Sequence, residues 1–500
     1  MAKKPNILMI MADQLRWDCL GCMGNPVIKT PNLDAIASRG MLFRNGFSTD
    51  PICVPARATI MTGNYPQVCT GTKNNRGRIK DDQPLLPEVM KNAGYRTYAM
   101  GKLHFVPYSP PGTPRLVHGF EHVDLHESGR IIAQFDHTGN TRGLEDYFDY
   151  LADAGWHGYT RAHGIGNNDV RPCASPLPPE HTVDHWIADC TLRQIDRHYK
   201  EFADRPFFMF MSSPKPHSPY DPPTPYDRMY DPRKVPPPWG SVKDLKGRDP
   251  HLLHSAIYPY GADTLSPQAW QVIRAHYYGC ISWLDNQVGR VIARLSEIGQ
   301  LDNTLVLFCA DHGDLIGDFG VVFKTNHLNG SVRVPFIVAG PGVAQGAVSN
   351  ALVGLQDILP TFAAAAGADI GCPVQGKDLT PVLSAPSAKV RDIFYSSTCE
   401  DPMQSAMVAD ERWKYIYSQA GGGIEELYDQ SQSLSEEHNL AAEPRHRSTK
   451  DQMRERLKAT ARELGDTNLL RENGELKTSN AHSDDPAKRR IVSAMGWRWY

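Results

Sequence analysis

The first apolar run of the chain, Ile7-Leu8-Met9-Ile10-Met11, passes straight into Ala12-Asp13-Gln14. It is too short and too uniformly apolar for an amphipathic helix, and reads as a strand buried on both faces. A carboxylate just beyond such a strand lies where open α/β sheets gather ligand groups. The arrangement recurs. Residues 95–100 read as a strand followed by Gly101-Lys102-Leu103-His104. Residues 206–211 read as another, followed by the proline-dense loop Pro214-Lys215-Pro216-His217-Ser218-Pro219. Residues 304–310 lead directly into Asp311-His312-Gly313-Asp314, and 335–339 form a further strand. Between them fall helices over 31–39 (capped by Thr30, closed at Gly40), 86–93 (ended by Gly94), 182–202 and 270–298. This alternation predicts an α/β fold, a large mostly parallel sheet flanked by helices.

The pattern changes near residues 384–390. Short strands around 392–395, 404–408 and 413–417, then Glu426-Leu427-Tyr428-Asp429 and a helix over 449–464, predict a smaller antiparallel sheet with one packing helix. The expected division is an α/β domain over 1–383, a C-terminal α+β subdomain over 384–465, and a polar tail over 466–500. The tail ends in Trp497-Arg498-Trp499-Tyr500, which would dock on the chain or on a neighbouring subunit. Residues 109–178 read as irregular insertion loops that shape a pocket. A net charge of −3 gives no reason to expect nucleic acid or an anionic membrane as partner. No run approaches the roughly 18 apolar residues of a membrane span. Met1-Ala2-Lys3-Lys4-Pro5 lacks the marks of a secretory leader, and the ten cysteines are scattered without paired spacing. Cytoplasmic residence is the expectation.

The chemistry-bearing residues cluster at predicted element ends. In Cys53-Val54-Pro55-Ala56-Arg57, Pro55 suits the first turn of a helix, where its missing N–H is no loss. Cys53 then sits just ahead of a helix N-terminus, which favours an anion, and Arg57 follows one turn on. A lone Asp after a strand is most often a turn cap. Asp13 and Asp311-His312 at two strand ends, beside that cysteine, instead point to ligands for a single divalent cation. Lys102 and His104, two apart, would share a face if extended. With Lys324 and His217 they could stabilise an anion and protonate a leaving oxygen. Asn74 alone is a turn former. His327, Arg78 and Tyr220 are either pocket residues or ordinary loop residues.

Taken together, these motifs resemble the type I sulfatase family of the alkaline-phosphatase-like fold. The likeness runs from Pro5 to about Leu440. It rests on Pro5-Asn6-Ile7-Leu8, Thr30-Pro31-Asn32-Leu33-Asp34, Cys53-Val54-Pro55-Ala56-Arg57 with Ala58-Thr59-Ile60-Met61-Thr62-Gly63, and Gly94-Tyr95-Arg96-Thr97 with Gly101-Lys102-Leu103-His104. The His217 loop, Asp311-His312-Gly313 and Arg333-Val334-Pro335 complete it. The resemblance implies a small-molecule sulfate ester as substrate, and formylglycine made from Cys53 by a separate maturation enzyme. It implies a cation held by Asp13, Gln14, Cys53, Asp311 and His312. Arg57 and Lys102 would stabilise the nucleophile and the transferring group. His217 and Lys324 would support the sulfate and protonate the departing alcohol. His104 would assist release of sulfate, and Asn74 would touch the substrate. Gln14 and His312 stand where many sulfatases have Asp and Asn, and both resemble choline sulfatase and the phosphonate monoester hydrolases. The motif detail is nearest the choline-sulfatase-like members. The cation implied is calcium, with manganese the alternative that imidazole ligation opens. The extended C-terminus resembles that of oligomeric members, so a homo-oligomer is expected. The alternative activity is phosphonate monoester or phosphodiester hydrolysis with the same nucleophile. A non-catalytic binding protein is disfavoured by the intact cysteine motif and its charged companions.

Overall fold

The computed structural model describes residues 4–105, 117–127, 142–166, 168–253 and 261–481. Its main sheet holds β1 (Asn6–Asp13), β2 (Gly40–Phe47), β3 (Arg96–Gly101), β4 (His122–Leu125), β5 (Phe207–Pro216), β6 (Thr304–Ala310), β7 (Phe336–Ala339) and β8 (Ala347–Gly354). The order is β4-β3-β5-β1-β6-β7-β2-β8. β1 pairs in parallel with β5 and β6, while β7 runs against both its neighbours, β6 and β2. Every residue of β1 and β6 is buried, which is why their sequences read as unbroken apolar runs.

Helices cover the sheet. Val183–Glu201 and Pro267–Glu297 pack on each other and on β5. A second group, α2 (Cys53–Thr62), Leu86–Asn92 and Ile358–Ala366, packs together, and Phe362 meets Phe208 of β5 edge-on at 6.0 Å. The helix Pro267–Glu297 starts earlier than the apolar spacing predicts, because Ser266 caps it by accepting the Ala269 N–H at 3.1 Å.

Several sequence expectations are corrected. The helix α1 (Pro31–Ser38) is not capped by the Thr30 side chain. Asp285, far away on the long helix, accepts the Asn32 and Leu33 N–H groups at 3.2 and 2.8 Å instead. Gly40 does not merely close that helix but opens β2, where an added Cβ would stand 2.1 Å from the Val338 oxygen. β5 continues past Met211 to Pro216, because Ser212 and Ser213 still pair with Met11 and Ala12 of β1. β4 lies inside the stretch expected to be irregular.

The second sheet has the order β12-β11-β10-β9 and is antiparallel. It comprises β9 (Phe394–Thr398), β10 (Ser405–Ala409), β11 (Trp413–Ser418) and β12 (Ile424–Asp429). The helix Arg447–Glu463 buries Met453 and Leu457 against Tyr395, Tyr415 and Leu427. β9 also lies along the loop before Cys53: the Ser397 N–H and the Ser396 hydroxyl donate to the Thr49 oxygen, and Thr398 Oγ1 donates to Asp50. Within the polar tail, the described residues up to 481 pack on the chain. Asp466 is buried, and the Ser479 N–H donates to the Gln419 oxygen at 2.7 Å. The terminal aromatic residues lie outside the described residues. All ten cysteines are free, and among the described residues no helix is long and apolar enough to cross a membrane.

Candidate active site

Asp13 ends β1 and Asp311 follows β6, and these neighbouring parallel strands leave the sheet at the same edge, with Ala12 paired to Ala310. The register with β5 shifts between Ala12 and Asp13, and Gln14 takes a left-handed φ of 67°. That turn lets the Gln14 N–H donate to Asp311 Oδ1 at 3.1 Å, and the His312 N–H donates to the same oxygen at 2.9 Å. Cys53 is the first residue of α2. One donor atom each from Asp13, Cys53, Asp311 and His312 lies within 4.8 Å of every other. Cys53 Sγ stands 3.2 Å from His312 Nε2.

The donor set fits one divalent cation. His312 Nδ1 lies 3.0 Å from the Gly313 oxygen, an acceptor only, so Nδ1 carries the proton in the neutral ring and Nε2 is left bare. Two carboxylates and an imidazole, joined by an oxygen or sulfur at position 53, make a mixed hard-donor site.

Charge around this group is closely matched. Arg57 is fully buried one turn into α2. Its Nε donates to Asp311 Oδ2 at 2.8 Å, one terminal nitrogen to Asp13 Oδ2 at 3.2 Å, and the other to the Lys102 oxygen (2.9 Å), the Leu103 oxygen (3.3 Å) and Ser212 Oγ (3.2 Å). Lys102 Nζ bonds Asp13 Oδ2. Burial pushes the Asp13 carboxyl up, but Lys102, His217, Arg57 and His312 outweigh it and hold the group well below the usual carboxylate range. Burial and Asp13 likewise oppose a thiolate at Cys53, yet Lys324, His312 and Lys102 bring its pKa down to about 6. Burial lowers His312, but Asp311 and Cys53 together outweigh it and raise the ring above its ordinary value. A pocket that favours a thiolate and a proton on Nε2 also favours a cation there.

The remaining predicted residues are distributed unevenly. Gln14 donates from Nε2 to Asp314 Oδ2 at 2.6 Å, and its Oε1 accepts from Lys324 Nζ. Lys324 is half-buried between Phe323 and Thr325, whose φ values of 65° and 72° are left-handed. His217 is buried, with Nδ1 2.9 Å from the Ser218 oxygen. Residues 102–105 lie in no strand and His104 has a φ of 48°, so Lys102 and His104 do not share a strand face as their spacing suggested. Glu127 holds that turn by accepting the Leu103 and His104 N–H groups at 3.2 and 2.9 Å. Asn74 donates to Glu400 at 3.0 Å. Its neighbour Asn75 caps the cysteine helix instead, accepting the Val54 N–H at 3.0 Å. Arg78 is exposed, Tyr220 donates to Asp314, and His327 is buried against Ser405. Sequence reasoning missed Ser212, Asn75, Glu127 and the role of Asp314. Only Asp314 carried a signal, its place beside Asp311-His312-Gly313.

A family model described as Sulfatase matches residues 5–368, and one described as N-sulphoglucosamine sulphohydrolase, C-terminal, matches residues 317–463. The chain is 30% identical over 472 residues to an arylsulfatase of Clostridium perfringens, covering 91% of this chain and 94% of that one. It is 30% identical over 450 residues to a choline-sulfatase of Rhizobium meliloti, covering 88% and 83%. Among solved structures, a phosphonate monoester hydrolase of Agrobacterium radiobacter matches with a TM-score of 0.79 at 25% identity, over 95% of this chain and all of that one.

Proposed function

The chain belongs to the sulfatase family and is a sulfuric ester hydrolase, and from that premise we propose how its residues divide the work. The observation that carries the reading is the buried convergence of Asp13, Cys53, Asp311 and His312, with Arg57 spanning both carboxylates. Cys53 is the position at which a maturation enzyme would install formylglycine, whose hydrate offers a hydroxyl as nucleophile. A cation bound by Asp13, Gln14, Asp311 and His312, calcium first and manganese second, would supply Lewis-acid polarisation.

The chain's own side chains do the rest. Arg57, bonded at Nε and both terminal nitrogens, fixes the spacing of Asp13 and Asp311 and holds positive charge against the reacting group. Lys102 neutralises Asp13 and faces the incoming sulfate. His217 and Lys324 take the sulfate oxygens, and one of them gives a proton to the departing alcohol. His104, on the turn gripped by Glu127, accepts a proton as sulfate leaves. The proposal includes a reducing, cytoplasmic setting, in which the ten cysteines would stay unpaired.

Intact-mass measurement after co-expression with a maturation enzyme, followed by sulfate release from aryl and choline sulfates, tests this reading. Cys53→Ala is expected to abolish turnover with the fold intact. A variant that keeps more than about a tenth of wild-type activity would contradict a covalent role for this position. The likeness to a phosphonate monoester hydrolase supports a second reading, in which phosphonate monoesters are also cleaved. The ratio of kcat/KM for aryl sulfate to that for a phenyl phosphonate ester decides which activity leads.

A further inference from the structure

Asp314 is fully buried and has no part in the chemistry above. Its carboxylate accepts four hydrogen bonds. Oδ2 receives Gln14 Nε2 and Tyr220 OH, each at 2.6 Å, and Oδ1 receives the Ile316 and Phe323 N–H groups at 2.9 and 2.8 Å. An ionised carboxylate only accepts. It therefore dictates which end of the Gln14 amide faces it: the nitrogen turns toward Asp314, and the oxygen turns the other way, to Lys324 Nζ. We propose that Asp314 is the positioning residue that sets the polarity of the Gln14 amide, presenting its oxygen rather than its nitrogen to the cation and to Lys324.

The same carboxylate anchors the rest of that wall. Its hold on the Phe323 N–H steadies a turn in which Phe323 and Thr325 both adopt left-handed backbone, which side chains disfavour. The residue between them is Lys324. The hydrogen bond that Asp314 accepts from Tyr220 ties in the loop that carries His217. A residue that served packing alone would need neither the charge nor this donor pattern.

The proposal rests on the cation reading given above, in which Gln14 joins Asp13, Asp311 and His312 as a ligand beside Cys53. Its test exchanges donor for acceptor. Asp314→Asn keeps the shape, and the oxygen it retains can still serve the two backbone N–H groups. The introduced NH2 then opposes the Gln14 NH2, so the Gln14 amide must turn over. Adding Gln14→Glu restores the pairing in reverse. The amide at position 314 donates and the carboxylate at position 14 accepts, with its second oxygen facing Lys324. The summed charge of the pair is unchanged. Tyr220 OH can accept from the introduced amide in that variant.

Calcium and, separately, manganese are titrated into the full-length protein by calorimetry, with cation-dependent unfolding temperature as a second readout. D314N is expected to bind about 10–100-fold more weakly than wild type, and Q14E/D314N to recover most of that loss. D314N that folds and binds like wild type overturns the proposal, as does a double variant no better than D314N. If D314N does not fold, recovery of folding and binding in the double variant carries the proposal, and its absence overturns it. A wild-type protein that binds neither cation overturns the cation reading itself, a failure distinct from the others.

Discussion

His327 shows how burial beside positive charge sets a residue's contribution. Its ring is buried, with Nδ1 3.0 Å from Ser405 Oγ. Burial, helped by Lys414 and Lys73, holds its pKa well below 6.5. The folded state therefore refuses a proton that the unfolded chain accepts. His327 contributes fully above the unfolded pKa, and that contribution is lost as pH falls from there toward the folded value, by up to about 1.4 kcal/mol per pH unit. His327→Gln is expected to lose less stability than wild type between pH 7.5 and pH 5. Equal losses in urea titrations of the two would show that His327 does not govern this limb. Site legibility at this scale followed position in the chain. Asp13, Cys53, Asp311 and His312 could be picked out because each stands at the end of a strand or the start of a helix. Asp314 could not be paired with Gln14, because its partner is 300 positions away and nothing local marks the contact.

Elements were readable where burial was uniform and obscure where a distant partner set the boundary. β1 and β6 announce themselves as apolar runs, and the C-terminal strands by their spacing. β2 was hidden because Gly40 reads as a helix stop, whereas its real constraint is the close approach of β7. The start of α1 is a similar case. Its cap comes from Asp285, whose pKa burial raises to about 6 even though Leu33 and Asn32 donate to it. Asp285→Ala would leave those N–H groups unpaired inside the protein, at an expected cost of about 1–3 kcal/mol. Urea unfolding measures it. A change below about 0.5 kcal/mol, the range of ordinary surface substitutions, would mean that water replaces the cap without penalty.

At the scale of the whole molecule, the two sheets are joined through polar contacts beside the cysteine helix. Lys73 Nζ pairs with Asp466 Oδ1 at 2.5 Å, both buried, and Tyr395 OH donates to the other oxygen of Asp466 at 2.7 Å. The Lys73 loop continues into Asn75, which caps α2 at Val54. Asp466→Ala strands a buried ammonium, with an expected loss of about 3–5 kcal/mol. It is also expected to lower kcat, because the loop that steadies α2 loses its anchor. Unchanged kcat in a destabilised variant would separate the two effects and confine Asp466 to folding. The general architecture was legible from alternating strands and helices. This joint was not, because Lys73 and Asp466 look like ordinary surface charges until the fold brings them together.

The hold of β9 on Thr49 and Asp50 also bears on timing. In the finished protein Cys53 is 1% exposed, and the loop leading to it is held at Thr49 and Asp50 by β9, from the final quarter of the polypeptide. A ribosome delivers the thiol long before it delivers that strand. The maturation enzyme proposed above would therefore have its opportunity while the nascent chain is still short, before that strand shuts the door behind it.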